Sequence, residues 1–165
     1  KKEYDSTIKY LNESKKYRSC FYICGLVMPY VKSREADVYS ICYYNVHKVD
    51  SAIIVLEKYF FSEYVRHSDS LNLRLYRYYL KQHSNEQLKE EYSKLDSRIF
   101  YDKSVYEDII FVEPYVYIFS NKIYLTGEMI SYESSKFAME FSEVDLLKKV
   151  KMRIHNSDLY DLILK

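Results

Sequence analysis

Glycine and proline occur only twice each in this 165-residue chain, alanine three times and tryptophan never. The shortage of glycine excludes whole chemistries. A Rossmann fingerprint or a P-loop needs several glycines where backbone approaches phosphate, and only Gly25 and Gly127 exist, a hundred residues apart. Cysteine is scarce too: Cys20, Cys24 and Cys42 are an odd count, too sparse for a disulfide-stapled secreted domain. That favours a reducing compartment, and the expected location is intracellular, in the cytoplasm. No run of 18 apolar residues occurs; the longest candidate, Cys20 to Val31, is interrupted by Pro29 and is too short to span a bilayer. Net charge is only +1, so no global field draws the chain to nucleic acid or acidic membrane, and any such binding must come from a local patch.

What the chain has in excess is tyrosine, 21 residues of it, and lysine outnumbers arginine 18 to 7. Two readings fit. Tyr, Lys, Ile and Phe use AT-rich codons, whereas Gly, Ala and Pro use GC-rich ones, so an AT-rich genome gives this skew without any functional demand. Alternatively the tyrosines serve as stacking and hydrogen-bonding surfaces, since each offers a flat apolar ring with a polar tip. Apolar residues at 48% and charged residues at 30% are those of a globular protein.

One domain over residues 1–165 is expected, α+β and predominantly helical. The pattern reads as an antiparallel, bundle-like helical part over about 1–101, a β-hairpin region over about 110–130, and C-terminal helices over about 142–165. Asp5 or Ser6 is placed to cap a first helix carrying Ile8 and Leu11. The apolar stretch from Tyr17 to Val31 is either a buried helix or a buried strand, and periodicity does not separate the two. A helix is expected from Ser33 through His47. Another, from Ser51 to Arg66, is apolar nearly all round and so belongs at the centre of a core. Ser68-Asp69-Ser70 opens a helix to about Gln82, and Ser84 with Gln87 forms a capping box for the next. In that helix Leu88, Tyr92, Leu95 and Ile99 make a stripe at spacings of about 4, 3 and 4 residues. Beyond residue 110 the period changes to two. Tyr115, Tyr117 and Phe119 alternate with Val116, Ile118 and Ser120, and Ile123 to Gly127 follows a link at Asn121-Lys122, which predicts a hairpin over about 115–127. Pro114 suits an edge position, and a third strand from Asp108 to Val112 would help stabilise the pair. Ser142 starts a helix bearing Leu146, Leu147, Val150 and Ile154, and a short terminal helix carries Leu159, Leu162 and Ile163.

Chemistry-bearing clusters are few. Cys20, Cys24, Cys42 and His47 are the right residue types for structural zinc, but Cys20-x3-Cys24 lies in an apolar stretch and not in a glycine-containing turn, so buried free thiols are the expected outcome and no metal or other cofactor is assigned. His67, His83 and His155 sit at helix ends, where solvated histidines are expected. Glu90-Glu91 reads as a solvated pair ahead of Lys94. No Gly-x-Ser-x-Gly or His-Glu-x-x-His motif occurs, and the chain is not expected to be an enzyme.

The constellation that remains is Ser70 to Gln82. On a helix, Leu73, Leu75, Tyr76, Tyr79 and Leu80 fall on one side, while Arg74, Arg77, Tyr78 and Lys81 share an arc of about 100° on the other. An aromatic ring within a row of cations can stack on a base while the cations grip phosphate. Lys148, Lys149, Lys151 and Arg153 would form a second basic face. The expected function is therefore a non-catalytic binding protein that docks on a ribonucleoprotein, as a ribosome-associated or regulatory factor does, with these helix faces on RNA. The alternative is a helical protein–protein interaction module, such as a viral or parasite effector, that holds one partner in a groove or on a hairpin edge with tyrosine as anchor. An enzyme without a recognisable motif is a third class, which a pocket lined by converging titratable groups would bring back.

Overall fold

The computed structural model describes residues 2–16, 28–61 and 69–164. It is predominantly helical, with eight helices and one four-stranded antiparallel sheet in the C-terminal half among the described residues. The chain divides into two compact units, residues 1–60 with 64–81, and residues 61–63 with 82–165.

The first unit is helical: α1 (Lys2–Lys15), α2 (Met28–Asn45), α3 (Val49–Phe60) and α4 (Asp69–Tyr79). Pro29 lies in the first turn of α2, where a missing N–H costs nothing. Buried residues recur at helical spacing: Ala36, Tyr39, Ser40 and Cys42 on α2; Ala52, Ile53, Leu56, Glu57 and Tyr59 on α3; Leu71, Asn72, Leu75, Tyr78 and Tyr79 on α4. Helix α1 buries no residue but is tied by the Tyr39 hydroxyl, which donates to Asn12 Oδ1 at 2.8 Å. The expected boundaries shift: Asp5 and Ser6 lie inside α1, and Asp50 lies in the first turn of α3. The expectation for Tyr17 to Val31 falls largely outside the described residues.

The second unit runs α5 (Asn85–Ser93), a 3-10 turn (Leu95–Arg98), β1 (Ile99–Tyr106), β2 (Ile109–Ile118), β3 (Asn121–Tyr124), a second 3-10 turn (Thr126–Glu128), β4 (Ile130–Glu133), then α6 (Phe137–Glu140), α7 (Glu143–His155) and α8 (Asp158–Leu164). The capping box is present: Gln87 N donates to Ser84 Oγ, and Ser84 N donates to Gln87 Oε1. Ser142 likewise caps α7, accepting from Asp145 N. The stripe Leu88, Tyr92, Leu95 and Ile99 is wholly buried, yet it is not one helix: α5 ends at Ser93, Leu95 lies in the 3-10 turn, and Ile99 opens β1.

Strand β2 is the sheet's centre. It pairs with β1 along one side and with β3 and β4 along the other. Both tight hairpins have two-residue loops, Glu107-Asp108 between β1 and β2 and Phe119-Ser120 between β2 and β3, because Tyr106 pairs with Ile109 and Ile118 with Asn121. The second turn therefore precedes Asn121-Lys122, which belongs to β3. Pro114 is in the middle of the central strand and not at an edge. Its carbonyl accepts from Leu125 N at 2.8 Å, so its missing N–H also points to the β3–β4 side, at the break between the segments paired with β3 and β4. The acceptor an N–H here would face, Leu125 O, takes Glu128 N at 2.8 Å instead.

The scarcity of glycine has a backbone signature. Positive φ is taken by His47 (66°), Glu107 (52°), Phe119 (45°) and Ser120 (69°), and by no described glycine. His47 ends α2 in the left-handed conformation usually given to glycine, with His47 N on Tyr44 O and Lys48 N on Tyr43 O. Phe119 is held in place from outside its turn: its N–H donates to Glu91 Oε1 at 2.7 Å, and His83 stacks on its ring at 3.8 Å between centroids. Glu91 also pairs with Arg98. Of the two glutamates expected to be solvated, Glu90 is, paired with Lys94, while Glu91 has a structural role.

Candidate site: the open aromatic face of the sheet

Alternation along β2 is strict. Ile110, Val112, Pro114, Val116 and Ile118 are buried, whereas Phe111, Glu113, Tyr115 and Tyr117 are half-buried on the other face and Ile109 is exposed there. The buried side packs beneath α6 and α7, where Lys103 Nζ lies 4.2 Å above the Phe137 ring and the Tyr101 hydroxyl donates to Glu143 at 3.3 Å. The opposite face is partly open to solvent, with Phe100, Tyr106, Ile109 and Tyr124 exposed on it.

Register fixes what that open face presents. Phe100, Tyr115 and Tyr124 form a row across three strands, with Tyr117 beside them. Ring centroids lie 5.9 Å apart for Phe100–Tyr115, 6.1 Å for Phe100–Tyr117, 5.5 Å for Tyr115–Tyr117 and 5.7 Å for Tyr115–Tyr124. The last three pairs meet edge to face, the geometry that ring quadrupoles favour. Phe100 is 45% and Tyr124 40% exposed, a large apolar area to leave in water on so small a sheet.

Lys122 lies over this floor, its Nζ 3.8 Å from the Tyr115 centroid and 4.8 Å from that of Tyr124, and it pairs with Asp102. The Tyr124 hydroxyl donates to the same carboxylate at 2.7 Å. These bonds, first from Lys122 and then from Tyr124, hold the Asp102 carboxyl below its ordinary value, and Asp102 in turn holds Lys122 protonated well above its own. Directly across from Asp102 in the β1–β2 register is a second carboxylate, Glu113. The side chains of this face thus form fixed aromatic rings with a carboxylate–ammonium pair locked among them.

The basic helix faces expected from sequence come apart. On α4, Tyr78 is not exposed beside Arg77. It is 8% exposed, stacks on Tyr44 at 4.6 Å with the rings 6° from parallel, and directs its hydroxyl at Ser40 O. Burial raises the Tyr78 phenol above its ordinary value. Arg74 is half-buried and paired with Asp37, so its charge is neutralised within the helical unit. Arg77 and Lys81 are exposed. The physical reason is that the buried arc of α4 is rotated from the expected one: Leu71, Asn72, Leu75, Tyr78 and Tyr79 pack, while Leu73 and Leu80, expected on the packed side, are exposed. On α7, Lys149 and Arg153 turn to the buried Glu128, at 2.9 Å and 3.6 Å, while Lys148 is exposed and Lys151 half-exposed on a separate line of the helix. Among the described residues, the α4 row thus keeps Arg77 and Lys81 unpaired in water, and the α7 row keeps Lys148, with Lys149 exposed but paired.

Of the weak metal candidates, Cys42 is a buried free thiol whose pKa is pushed up by burial, His47 is exposed beyond the end of α2, and Cys20 and Cys24 lie outside the described residues. Among the described residues no cluster of His, Cys, Asp or Glu is arranged to hold a metal ion, and no helix is long and apolar enough to cross a membrane. No protein-family model, curated protein or solved structure matches this chain.

The open aromatic face was present in the sequence as tyrosines of one parity, Tyr115 and Tyr117, in an alternating run. Alternation alone does not tell which parity faces water, because both faces of β2 are apolar: the division is aromatic against β-branched, not polar against apolar.

Proposed function

We propose that this chain is a non-catalytic binding protein whose partner is another protein, docked on the open face of the sheet. The observation that carries this reading is the cluster Phe100, Tyr115, Tyr117 and Tyr124, packed ring on ring yet facing water. Rings already fixed by their neighbours lose little freedom on binding, and tyrosine is the residue type on which interface energy concentrates. The tyrosine anchors thus stand on a sheet rather than in a groove between helices.

Docking on a ribonucleoprotein is the second reading, favoured by the solvent-facing cations Arg77, Lys81 and Lys148. It has lost its stacking ring, since Tyr78 is in the core, and Arg74, Lys149 and Arg153 are engaged by carboxylates. A pull-down from lysate with and without RNase separates the two. Wild type is compared with Tyr115→Ala/Tyr124→Ala and with Arg77→Glu/Lys81→Glu. Protein docking predicts capture that resists RNase and disappears with the two tyrosines. Capture that disappears with RNase and with the two cations would overturn it in favour of RNA.

A further inference from the structure

The charge pattern of the open face narrows the chemistry of its partner. Strand parity places Asp102, Glu113 and Glu133 on this face together with a single lysine, Lys122, among the described strands. Asp102 and Glu113 stand directly opposite each other, an arrangement in which like charges destabilise a sheet. Lys122 answers Asp102, and Glu133 pairs with Lys136. The Glu113 side chain makes no hydrogen bond or ion pair with any described residue. The face therefore keeps one carboxylate uncompensated beside four aromatic rings, two of which already accept a cation in Lys122.

A third feature sets the shape of the ligand. Strand β1 is the end of the sheet order and pairs with β2 alone among the described strands, so its outer edge offers unpaired N–H and C=O groups to an extended chain. Side chains of an added strand would reach the open face at every second residue, about 7 Å apart, the spacing of Phe100, Asp102 and Ser104.

Resting on the protein-docking reading above, we infer that the occupant is an extended segment of a partner protein with arginine or lysine at alternate positions. It lies along β1 with one cation between Asp102 and Glu113 and the next over the ring of Phe100. An arginine fits both places, because its guanidinium is a bidentate donor to carboxylates and stacks on aromatic faces. Nucleic acid is disfavoured on this face because its phosphates would meet the uncompensated carboxylate of Glu113, with Asp102 and Glu133 already holding the nearby cations. A second copy of β1 is disfavoured because it would bring another Asp102 to the same face.

The test uses the full chain and two fluorescein-labelled eight-residue peptides, one alternating Arg and Thr and the other Glu and Thr, read by fluorescence anisotropy at about physiological salt. The Arg-Thr peptide should bind and the Glu-Thr peptide should not. Glu113→Lys should weaken the Arg-Thr peptide by at least about tenfold. Glu140→Lys, the same charge change at an exposed site on α6, should leave it within about twofold. Glu113→Gln, a milder change at this half-buried site, should give an intermediate loss, and circular dichroism of each variant checks that it folds. Equal binding of both peptides, or equal effects of Glu113→Lys and Glu140→Lys, would overturn the inference. The docking reading is separable: a captured protein that depends on Tyr115 and Tyr124 but is indifferent to Glu113→Lys removes the cationic ligand and leaves docking standing. A captured set indifferent to all three residues removes both.

Discussion

A tyrosine set in each unit shows two different uses of the residue. In the helical unit Tyr39, Tyr59, Tyr78 and Tyr79 are buried, and three of the hydroxyls reach partners inside the unit: Tyr39 to Asn12, Tyr78 to Ser40 O, Tyr79 to Glu57. In the sheet unit Tyr115, Tyr117 and Tyr124 line one face, where they pack on one another and on Lys122 but keep much of their surface in water. A biased codon supply accounts for the number of tyrosines, but not for their concentration on one parity of one sheet. The lesson is that the same residue stabilises the fold where its ring is enclosed, and is available for binding where its ring is held by neighbours but left half in water.

The sharpest way to break this contrast is to remove a ring from each unit. Tyr79→Ala should destabilise the protein by about 3–5 kcal/mol, as large aromatic truncations in a core do, whereas Tyr124→Ala should cost about 1 kcal/mol or less; urea denaturation measures both. Equal losses would mean that the open face is part of the core.

The next effect concerns the hydroxyl's partner in the helical unit. Glu57 is 1% exposed; Tyr79 donates to its Oε1 at 2.6 Å, and its Oε2 has no partner. Burial raises this carboxyl from 4.5 to about 7, the Tyr79 bond opposing the shift. The folded state then holds the proton more tightly than the unfolded chain. Stability from this group is intact below about pH 4.5, falls as pH rises through 7, and levels off above it, a loss of about 3 kcal/mol. Glu57→Gln should therefore gain stability over wild type at pH 8 by an amount of that order and show little difference at pH 4.5. A difference that does not change with pH would mean that Glu57 keeps its ordinary carboxylate pKa in the folded protein.

On the sheet, Tyr115→Ala/Tyr124→Ala should weaken partner binding by about 30-fold or more, the loss expected of about 2 kcal/mol at an interface anchor, while far-ultraviolet circular dichroism stays unchanged. The smallest effect tests how the chain manages without glycine. Ser120 has φ 69°, a conformation glycine adopts without steric cost, so Ser120→Gly should leave stability unchanged or raise it by up to about 1 kcal/mol in thermal unfolding.

Much of the fold was legible in short-range signals. Ser84 with Gln87, and Ser142 ahead of α7, mark helix starts through hydrogen bonds that span three residues, so sequence alone carries them. The stripe Leu88, Tyr92, Leu95 and Ile99 was read correctly as buried but wrongly as one helix, since burial at this spacing is shared by a helix, a 3-10 turn and the first residue of a strand. Strand β1 was missed because Tyr101, Lys103 and Val105 on its inner side do not form an apolar run; Lys103 is accommodated there by the Phe137 ring. The turn at Phe119-Ser120 was illegible because neither residue favours positive φ; Glu91 and His83, far away in sequence, hold it. On α4 the helical wheel placed Tyr78 among cations, and only its tertiary stack on Tyr44 reveals that it is core.

The most direct measurement is site-specific photo-crosslinking in cells, with a benzophenone-bearing phenylalanine analogue placed at Tyr117 in one variant and at Arg77 in another. Docking on the open face predicts a discrete protein adduct from Tyr117 that survives RNase, and none from Arg77. An RNase-sensitive adduct from Arg77 with nothing from Tyr117 would contradict it.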